Sequence, residues 1–591
     1  MDFLERFREL WLTDFEFRAP EGSLPEPVCM VAKEARTGRI IRSWEDELAR
    51  MQSAPFDTGK KSALIAFYSS AEIGCFLSLG WDLPMNIIDL FAEFRCKTNG
   101  LSTPNGSSLL GAMAWYGLDS ISAIEKDNNR DLILREGYSE EEKARIMKYC
   151  ESDVLSLEKL FNAMRPSLSP QAVLRGRYMK SVAIMERQGI PVDTPLFLRL
   201  RSHWEEIKAA LIHEVDKDFG VFDGQTFKRT KFEAWLKHQA IAWPSLASGQ
   251  MALDDDSFKE MARIHPEIEP LRQLRWTLSK MRLSELAVGP DGRNRCLLSP
   301  FRAKTGRNQP SNSKFIFGPA VWLRGLIKPE RGYALAYIDF EQQEFAIAGA
   351  LSKDPAMIKA YQSGDPYIAF AKMANAVPAN ATKQTYPRER ELFKSTCLAV
   401  QYCMGPNSLA GRLGITRVEA CNLLEMHKRV FKKYWSWSDA AVDYATLNNK
   451  IHTAFGWEYH VVDKANDRTL RNFPMQANGA EMLRIACWLA IERGIKVCAP
   501  IHDALLIEAP EPEIEDAVRA TQSAMREASE IVLSGFPVRS EANIVRYPDR
   551  YTDERGALMW KTITGLLEGE GELIDPGQIW TETPIRSDTP A

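Results

Sequence analysis

The chain contains 591 residues, of which 45% are hydrophobic and 26% are charged, and its formal net charge is −4. A single core does not organise a chain of this length, so we expect two to four domains of a globular protein. The slightly acidic balance excludes a uniformly basic nucleic-acid binder, and any surface for nucleic acid has to be local. The ten cysteines form no Cys-x-x-Cys pair, which argues against zinc and disulfides and favours a reducing compartment. Neither a signal peptide nor a membrane-spanning segment is predicted.

The first 165 residues predict a self-contained α/β domain. Three apolar runs are predicted strands: Leu12–Arg18, Val28–Lys33 and Ala63–Tyr68. Side chains of a strand repeat every two residues, so Asp14 and Glu16 lie on the same face of the first strand. Glu140–Leu160 is a predicted helix, in which Tyr149 and Asp153 are one turn apart. Four polar side chains could therefore converge, unless they are surface carboxylates of an ordinary α/β domain.

The D-x-E pair and the Y-x-x-x-D helix resemble the DEDD-type 3′–5′ exonucleases in their DEDDy form, which have an RNase H-like fold. The second motif of these enzymes usually supplies Asp four residues after Asn, whereas this chain has Glu72 and Tyr68 there. Glu is still a hard oxygen ligand, only one methylene longer, so we expect excision activity to be retained. The resemblance implies that Tyr149 orients the attacking water and that four carboxylates hold metal: Asp14, Glu16, Glu72 and Asp153.

Met164–Pro170 is a proline-containing linker, and residues 170–591 follow as a second region. Between about 195 and 298 this region is predicted to be largely helical and is rich in Lys and Arg. The tail from about 565 to 591 is rich in Gly, Pro and acidic residues and is predicted to be disordered.

The stretch Ala334–Ser352 predicts a buried strand that ends in Asp339, followed by a helix. One face of that helix is apolar or small: Phe345, Ala348, Gly349 and Ser352. A carboxylate at the end of a buried strand is costly unless a cation or a hydrogen-bond donor meets it. The alternative is that Asp339 only caps the helix.

Arg388–Met404 is a second predicted helix, and four of its side chains recur every four residues: Arg390, Lys394, Leu398 and Tyr402. Arg and Lys one turn apart suit a triphosphate, and an aromatic ring two turns further suits a base. The alternative interpretation of such a stripe is a solvated helix face.

Val497–Glu508 predicts two apolar strands joined by a tight turn at His502–Ala504, with Asp503 at the tip of the hairpin. Carboxylates that converge from separate strands, here Asp339 and Asp503, form the ligand pair that holds two Mg²⁺ ions for phosphoryl transfer.

Together these three stretches resemble motifs A, B and C of the family A DNA polymerases, the DNA polymerase I type. The resemblance implies an α/β and α+β multidomain fold, in which a right-hand polymerase follows the exonuclease domain. The implied parts of the polymerase are a thumb at about 195–298, a palm at about 299–352 and 460–560, and fingers at about 353–459. Gly176–Asp193 resembles the segment that opens the polymerase domain.

The resemblance also implies roles at the polymerase site. Asp339, Asp503 and the carbonyl of Phe340 would hold metal, and Lys394 would be a catalytic donor to the triphosphate. The nucleotide-binding residues would be Gln342, Glu344, Arg390, Lys394, Leu398 and Tyr402. Leu398 stands where relatives have an aromatic residue, and Glu344 would exclude a ribose 2′-OH. Contacts to DNA would come from Arg307 in a T-G-R loop and from Arg468, Asn472, Gln476 and His502.

The expected function is template-directed DNA synthesis with proofreading. The implied cofactor is Mg²⁺, two ions in each site, with Mn²⁺ as a substitute. The implied partners are primer–template DNA and deoxynucleoside triphosphates, with no membrane. We expect a cytoplasmic monomer (host cytoplasm if viral) that works with replisome proteins such as a helicase–primase or a single-strand-binding protein. The compact arrangement without a 5′-nuclease suggests a phage or mobile-element enzyme.

Three alternatives remain at this stage. One is a nuclease whose polymerase half has decayed into a DNA-binding module, since Ala346 and Ala504 stand where the family usually has Arg and Glu. Another is a single-subunit RNA polymerase, which lacks the exonuclease domain and the acid at Glu344. The third is a specialisation of the DNA polymerase for phage DNA that contains 2-aminoadenine.

Overall fold

The computed structural model describes residues 2–119, 131–135, 137–246, 248–281, 283–462 and 466–568. The described residues divide into two units. The first comprises Met1–Gly189, Leu297–Pro310 and Leu335–Ile544, and the second comprises Ile190–Cys296, Ser311–Ala334 and Val545–Ala591.

A five-stranded sheet organises the N-terminal part of the first unit. Its strands are β1 (Glu9–Arg18), β2 (Glu26–Glu34), β3 (Ile40–Trp44), β4 (Ser62–Ala66) and β5 (Ile87–Asp89), in the spatial order β3-β2-β1-β4-β5. The pairs β1–β2 and β2–β3 are antiparallel, whereas β1–β4 and β4–β5 are parallel. This order and these directions agree with the predicted RNase H-like fold. The third predicted strand is shorter than expected, because it ends at Ala66 and Tyr68 has a left-handed φ of 72°.

Helices cover both faces of this sheet. They are α1 (Glu45–Leu48), α2 (Ser70–Leu79), α3 (Leu90–Thr98), α4 (Leu109–Trp115), α5 (Glu140–Met164) and α6 (Gln171–Gln188). Alternation along β1 sends Leu10 and Leu12 into the core shared with α5, and Trp11 and Phe15 into the core on the opposite face. Helix α5 starts with a capping box, in which Ser139 and Glu142 bond each other's backbone N–H.

The rest of the first unit is built on a second, four-stranded sheet. Its strands are β10 (Tyr333–Phe340), β13 (Lys496–Ile501), β14 (Ala504–Pro510) and β15 (Ser540–Arg546), in the order β13-β14-β10-β15. A small hairpin pairs β11 (Lys450–His452) with β12 (Glu458–His460). The central position of β10 explains its near-continuous apolar sequence.

The remaining helices of the first unit follow β10. They are α12 (Gln343–Ser352), α13 (Pro355–Gln362), α14 (Pro366–Met373), α15 (Pro387–Gln401), α16 (Pro406–Leu413), α17 (Arg417–Val430), α18 (Lys432–Asn448), α19 (Asp467–Glu492) and α20 (Ile514–Val532). The predicted strand–helix stretch and the predicted hairpin are present, and the helix predicted at Arg388–Met404 is present but ends at Gln401.

The second unit is mainly helical, as the sequence predicted for 195–298. Its helices are α7 (Thr194–Ser202), α8 (Trp204–Asp216), α9 (Arg229–His238), α10 (Asp255–Ile264), α11 (Glu269–Lys280) and α21 (Glu554–Glu568). Its short strands are β6 (Ile190–Pro191), β7 (Phe222–Asp223), β8 (Thr226–Phe227) and β9 (Arg293–Asn294). The rings of Trp204 and Trp322 stack at 5.7 Å, and Arg324 pairs with Asp553 at 2.5 Å.

The boundary of the predicted disordered tail needs correction. Residues 565–568 form the last turn of α21, whose buried side includes Met559 and Ile563. The rest of the predicted tail, 569–591, lies outside the described residues. No helix within the described ranges is long and apolar enough to cross a membrane.

A largely buried carboxyl on α6 gives a pH-dependent test of this packing. Glu186 accepts a hydrogen bond from the backbone N–H of Leu298 at 2.8 Å, and burial raises the pKa of its carboxyl to about 8. An acid whose pKa is raised by folding binds its proton more tightly in the native state, so stability is lost as pH rises from the unfolded pKa of about 4.3 to the folded value.

We therefore expect the isosteric variant Glu186→Gln to melt like the wild type at pH 4–5. At pH 9 it should melt roughly 4 °C or more higher than the wild type, because its side chain cannot ionise. Thermal unfolding followed by circular dichroism from pH 4 to 9 measures this difference. A difference that stays constant across the range would contradict the burial of an ionisable Glu186.

Candidate active sites

Two clusters of carboxylates lie in the first unit, one on each sheet. In the N-terminal cluster, Asp14 and Glu16 share one face of β1, and Cys150 on α5 lies against them. One potential ligand atom from each of these three residues lies within 4.8 Å of the others. The Cys150 thiol donates a hydrogen bond to the carbonyl of Asp14 at 3.3 Å, which ties α5 to the strand.

Glu72 joins this cluster from the first turn of α2. It is 4% exposed, and its carboxylate accepts the backbone N–H of Phe15 at 2.9 Å. Burial first, and then the negative charge of Asp14, raise the pKa of Glu72 and also that of Glu16. The charge of Asp153 contributes to both shifts, so the four predicted carboxylates lie within electrostatic reach of one another.

Tyr149 lies at the same place on α5, one turn before Asp153. Burial raises the pKa of its hydroxyl, and the charges of Asp153, Glu16 and Asp14 raise it further. The phenol therefore stays protonated and can donate a hydrogen bond. Carboxylates that repel one another in a partly buried site are stabilised by a divalent cation, and hard oxygen donors suit Mg²⁺.

The second cluster lies where β10 and β14 run side by side. Asp339 is the penultimate residue of β10, and Asp503 directly precedes β14; both side chains are half-buried. The backbone N–H of Phe340 donates to the carbonyl of Asp503 at 3.3 Å, which joins the two strand ends. His502 is exposed and has a left-handed φ of 55°, as a two-residue hairpin turn favours. Two carboxylates and a neighbouring backbone carbonyl are a donor set that suits Mg²⁺.

Asp339 is not the N-cap of helix α12. Helix α12 begins at Gln343, its N-cap is Gln342 with a left-handed φ of 47°, and the N-cap side chain makes no capping hydrogen bond. Asp339 lies three residues before the N-cap, at the end of the strand.

Glu344 connects this cluster to two other elements of the first unit. The hydroxyl of Tyr402 donates to Glu344 Oε1 at 3.3 Å, and Arg307 Nη2 lies 4.0 Å from the same oxygen. Burial raises the pKa of Glu344, Arg307 opposes this shift, and the charge of Asp503 adds to it. The pKa of Glu344 therefore depends on both Asp503 at the strand end and Arg307.

Helix α15 presents the predicted four-residue stripe. Arg390, Lys394 and Leu398 are half-buried on one face, and Tyr402 directly follows the last helical residue. Arg390 Nε donates to Asp365 at 2.5 Å, and Lys394 Nζ lies 3.4 Å from Glu391. Both cations are thus paired with a carboxylate of the first unit.

The predicted DNA contacts of α19 also share a helix face. Arg468, Asn472 and Gln476 follow each other at intervals of four residues. Arg468 is exposed, and the other two side chains are half-buried.

Gln342 is in contact with Arg539, a residue that was not predicted from the sequence. Arg539 Nη2 donates to Gln342 Oε1 at 3.5 Å, and Arg539 Nε donates to Glu341 at 3.1 Å.

Residues 310–546 match the family model described as DNA polymerase family A. This segment contains both acidic strand ends, the α15 stripe and the α19 face. The segment is thus similar to the polymerases of family A.

Relatives and a solved structure agree with this assignment. The chain is 24% identical to DNA polymerase I of Aquifex aeolicus over 443 residues, which is 67% of this chain and 75% of the relative. It is 24% identical to the thermostable DNA polymerase I of Thermus thermophilus over 376 residues, 59% of this chain but only 44% of the relative. The structure of the M. smegmatis Pol1 POL domain, in complex with DNA primer-template and dNTP, superimposes with a TM-score of 0.68 at 19% identity. The superposition covers 92% of this chain and 96% of the POL domain chain. This similarity confirms the right-hand polymerase fold.

Two departures from the family A motifs have a structural consequence. Ala346 and Ala504 are both fully buried in the polymerase domain. A charged side chain at either position would need a buried partner. Alanine therefore fills both buried positions, and neither the Arg nor the Glu of the usual motifs is present there.

Other contacts carry no motif and were missed. Cys150 could have been suspected, because it lies on α5 between Tyr149 and Asp153. Asp365, the partner of Arg390, gives no sequence signal beyond its role as N-cap of α14.

Proposed function

We propose that this chain is a template-directed DNA polymerase that adds deoxynucleotides to a primer 3′-OH and proofreads with a 3′–5′ exonuclease. The observation that carries the proposal is the convergence of Asp339 and Asp503 at the joined ends of β10 and β14, within the segment that matches the family A model. The helical second unit supports a thumb at about 195–298, and α13 to α18 support fingers at about 353–459. The palm would then comprise about 299–352 and 460–560.

In the polymerase reaction, Asp339, Asp503 and the Phe340 carbonyl would hold two Mg²⁺ ions. When bound, these ions lower the pKa of the primer 3′-OH and offset the charge of the triphosphate. Arg390 leaves Asp365 to bind the outer phosphate, and Lys394 donates to the triphosphate and to the departing pyrophosphate.

The remaining side chains select and align the substrates. Tyr402 lies beside the templating base, and Gln342 and Leu398 border the nucleotide. Contacts to the primer–template come from Arg307, Arg468, Asn472, Gln476 and His502.

In the exonuclease reaction, Tyr149 orients a water molecule towards the terminal phosphodiester. Asp14, Glu16, Glu72 and Asp153 would hold two Mg²⁺ ions there. The support for this site is the mutual electrostatic effect of the buried carboxylates on Glu16 and Glu72.

We place this activity in the replication of phage or mobile-element DNA, in the (host) cytoplasm. The chain would act as a monomer with replisome proteins such as a helicase–primase or a single-strand-binding protein. Preference for templates that contain 2-aminoadenine remains a hypothesis within this proposal.

The first test separates the two sites. Asp339→Asn or Asp503→Asn should lower primer extension by at least about a thousandfold, roughly 4 kcal/mol of barrier, because an amide is a poor ligand for Mg²⁺. Excision of a mispaired 3′ end should persist in both variants and disappear in Asp14→Ala. Gel-based extension and excision assays on one labelled primer measure both reactions. The exposed Asp516→Asn is the matched control, and extension at more than a thousandth of the wild-type rate in the first two variants would refute their role.

The second test asks whether Glu72 binds metal or only supports β1. Glu72→Gln keeps an oxygen that accepts the Phe15 N–H but removes the negative charge. Without added metal we expect a melting temperature no lower than that of the wild type, because a buried carboxyl that repels its neighbours is removed. We also expect a loss of Mg²⁺-dependent excision of about a hundredfold or more. Glu72→Asp should retain measurable excision. Wild-type excision in Glu72→Gln would leave Glu72 as a hydrogen-bond acceptor alone.

The third test concerns sugar selection by Glu344. In Glu344→Ala, removal of the side chain beside Tyr402 should admit a ribose 2′-OH. The ratio of kcat/KM for a deoxynucleotide to that for its ribonucleotide should then fall by about two to three powers of ten, about 3–4 kcal/mol. Glu344→Gln keeps the shape and should keep the selection. A ratio in Glu344→Ala within threefold of the wild type would assign deoxyribose preference elsewhere.

A further inference from the structure

The loop Ser299–Arg307, which carries Arg307, has no regular secondary structure. Two of its residues other than glycine have left-handed backbones, Ser299 with φ 48° and Phe301 with φ 59°. Such conformations cost free energy and persist only where the surroundings hold them. The position of Arg307 therefore depends on the groups that bind this loop.

Several of those groups come from helix α3 of the N-terminal sheet region. Arg95 Nε and Nη2 donate to the carbonyls of Phe301 at 3.3 Å and Arg302 at 2.9 Å. Asn99, directly after the helix, donates from Nδ2 to the carbonyl of Lys304 at 2.7 Å. Three carbonyls of the loop are thus bound from α3 and its C-cap.

Asn99 is itself fixed on the polymerase side. It is 1% exposed, its Nδ2 also donates to the carbonyl of Glu458 at 2.7 Å, and its own carbonyl accepts the N–H of His460 at 2.8 Å. The next residue, Gly100, has φ 91°, and a Cβ there would lie 2.3 Å from the carbonyl oxygen of His460. This close approach requires glycine and leaves the end of α3 little freedom.

The other end of α3 is attached to the segment that carries Glu72. The helix N-cap Asp89 accepts the backbone N–H of Ser69 at 2.6 Å and its hydroxyl at 2.7 Å. The exonuclease segment is therefore joined to the loop through α3.

A displacement of the loop would move Arg307 relative to Glu344, which lies beside the predicted polymerase site. The carbonyl of Gly306 accepts a hydrogen bond from Arg484 Nη1 at 2.7 Å, and the following residue, Arg307, lies 4.0 Å from Glu344. Arg484 also lies over the ring of Phe301 at 4.9 Å. The loop is thus held between α3 on one side and α19 on the other.

We propose that Asn99 and Arg95 are positioning residues for Arg307, so that the exonuclease-like region sets how strictly the polymerase site tests the terminal base pair. This inference rests on the proposed function, in which Arg307 contacts the primer–template, and it places that contact in the minor groove of the primer end. Minor-groove acceptors have nearly the same positions in every Watson–Crick pair, so a well-placed Arg favours a paired end over a mispaired one. A displaced Arg307 loses that preference.

The experiment compares extension from paired and mispaired primer ends by the full chain. Each primer has a terminal phosphorothioate linkage that resists excision, so proofreading does not alter the measured rates. In Asn99→Ala we expect kcat/KM to fall for the paired end more than for the mispaired end, which lowers their ratio by about tenfold. Arg95→Ala, at a partly exposed position, should lower the ratio in the same direction if Asn99→Ala folds poorly.

Asn86→Ala is the matched control. Asn86 lies in the same region, and its Nδ2 also donates to two backbone carbonyls, those of Lys60 at 3.2 Å and Ser62 at 3.0 Å, away from the loop. A purely structural effect lowers both rates equally and leaves the ratio unchanged. We expect Asn86→Ala to leave the ratio within twofold of the wild type.

A double-mutant cycle with Arg307→Ala completes the test. If Asn99 acts through Arg307, Asn99→Ala should change the ratio little once Arg307 is removed. An unchanged ratio in both Asn99→Ala and Arg95→Ala, or additive effects in the cycle, would overturn the inference while leaving DNA synthesis intact. A wild-type chain that extends no primer would overturn the proposed function as well.

Discussion

The constraint on which both sites depend is the confinement of like charges. Asp14, Glu16, Glu72 and Asp153 meet beside one sheet, and Asp339 and Asp503 meet at the ends of the two inner strands of another. Burial and mutual repulsion raise the pKa of Glu16 and Glu72, which means that the ionised cluster is unstable without a counter-charge. Divalent cations supply that charge in phosphoryl-transfer enzymes. The surrounding fold holds the carboxylates together despite their repulsion.

Secondary structure accounts for how this confinement is achieved. In the polymerase domain, a hydrogen bond between Phe340 and Asp503 joins the ends of two core strands, so their carboxylates come from a rigid sheet. In the exonuclease-like region, the two-residue repeat of β1 puts Asp14 and Glu16 on one face of the strand. The four-residue spacing on α5 puts Tyr149 and Asp153 on one face of the helix. Rigid elements hold reactive groups more closely than loops do.

Those periodic parts were predictable from the sequence. The strand around Asp339, the hairpin around Asp503 and the helices α15 and α5 follow from spacing and apolar patterning, whereas the roles predicted for their side chains rest on the resemblance to known families. The contacts of Arg95, Asn99 and Arg484 could not be predicted in this way, because each binds backbone carbonyls of an irregular loop. Backbone acceptors exist at every residue, so such contacts leave no pattern in the sequence. The last turn of α21 was missed because it begins with Gly565 and is followed directly by a stretch rich in Gly and acidic residues.

The central claim is that Asp339 and Asp503 together bind the metal ions of DNA synthesis. The most direct measurement is a crystal structure of the chain with primer–template, a non-hydrolysable deoxynucleoside triphosphate and Mn²⁺, in which anomalous scattering locates the metal. We expect Mn²⁺ within about 2.0–2.3 Å of oxygens from both carboxylates, with the triphosphate lying along the Arg390 and Lys394 face. Metal and nucleotide bound elsewhere, with neither carboxylate as a ligand, would contradict the account.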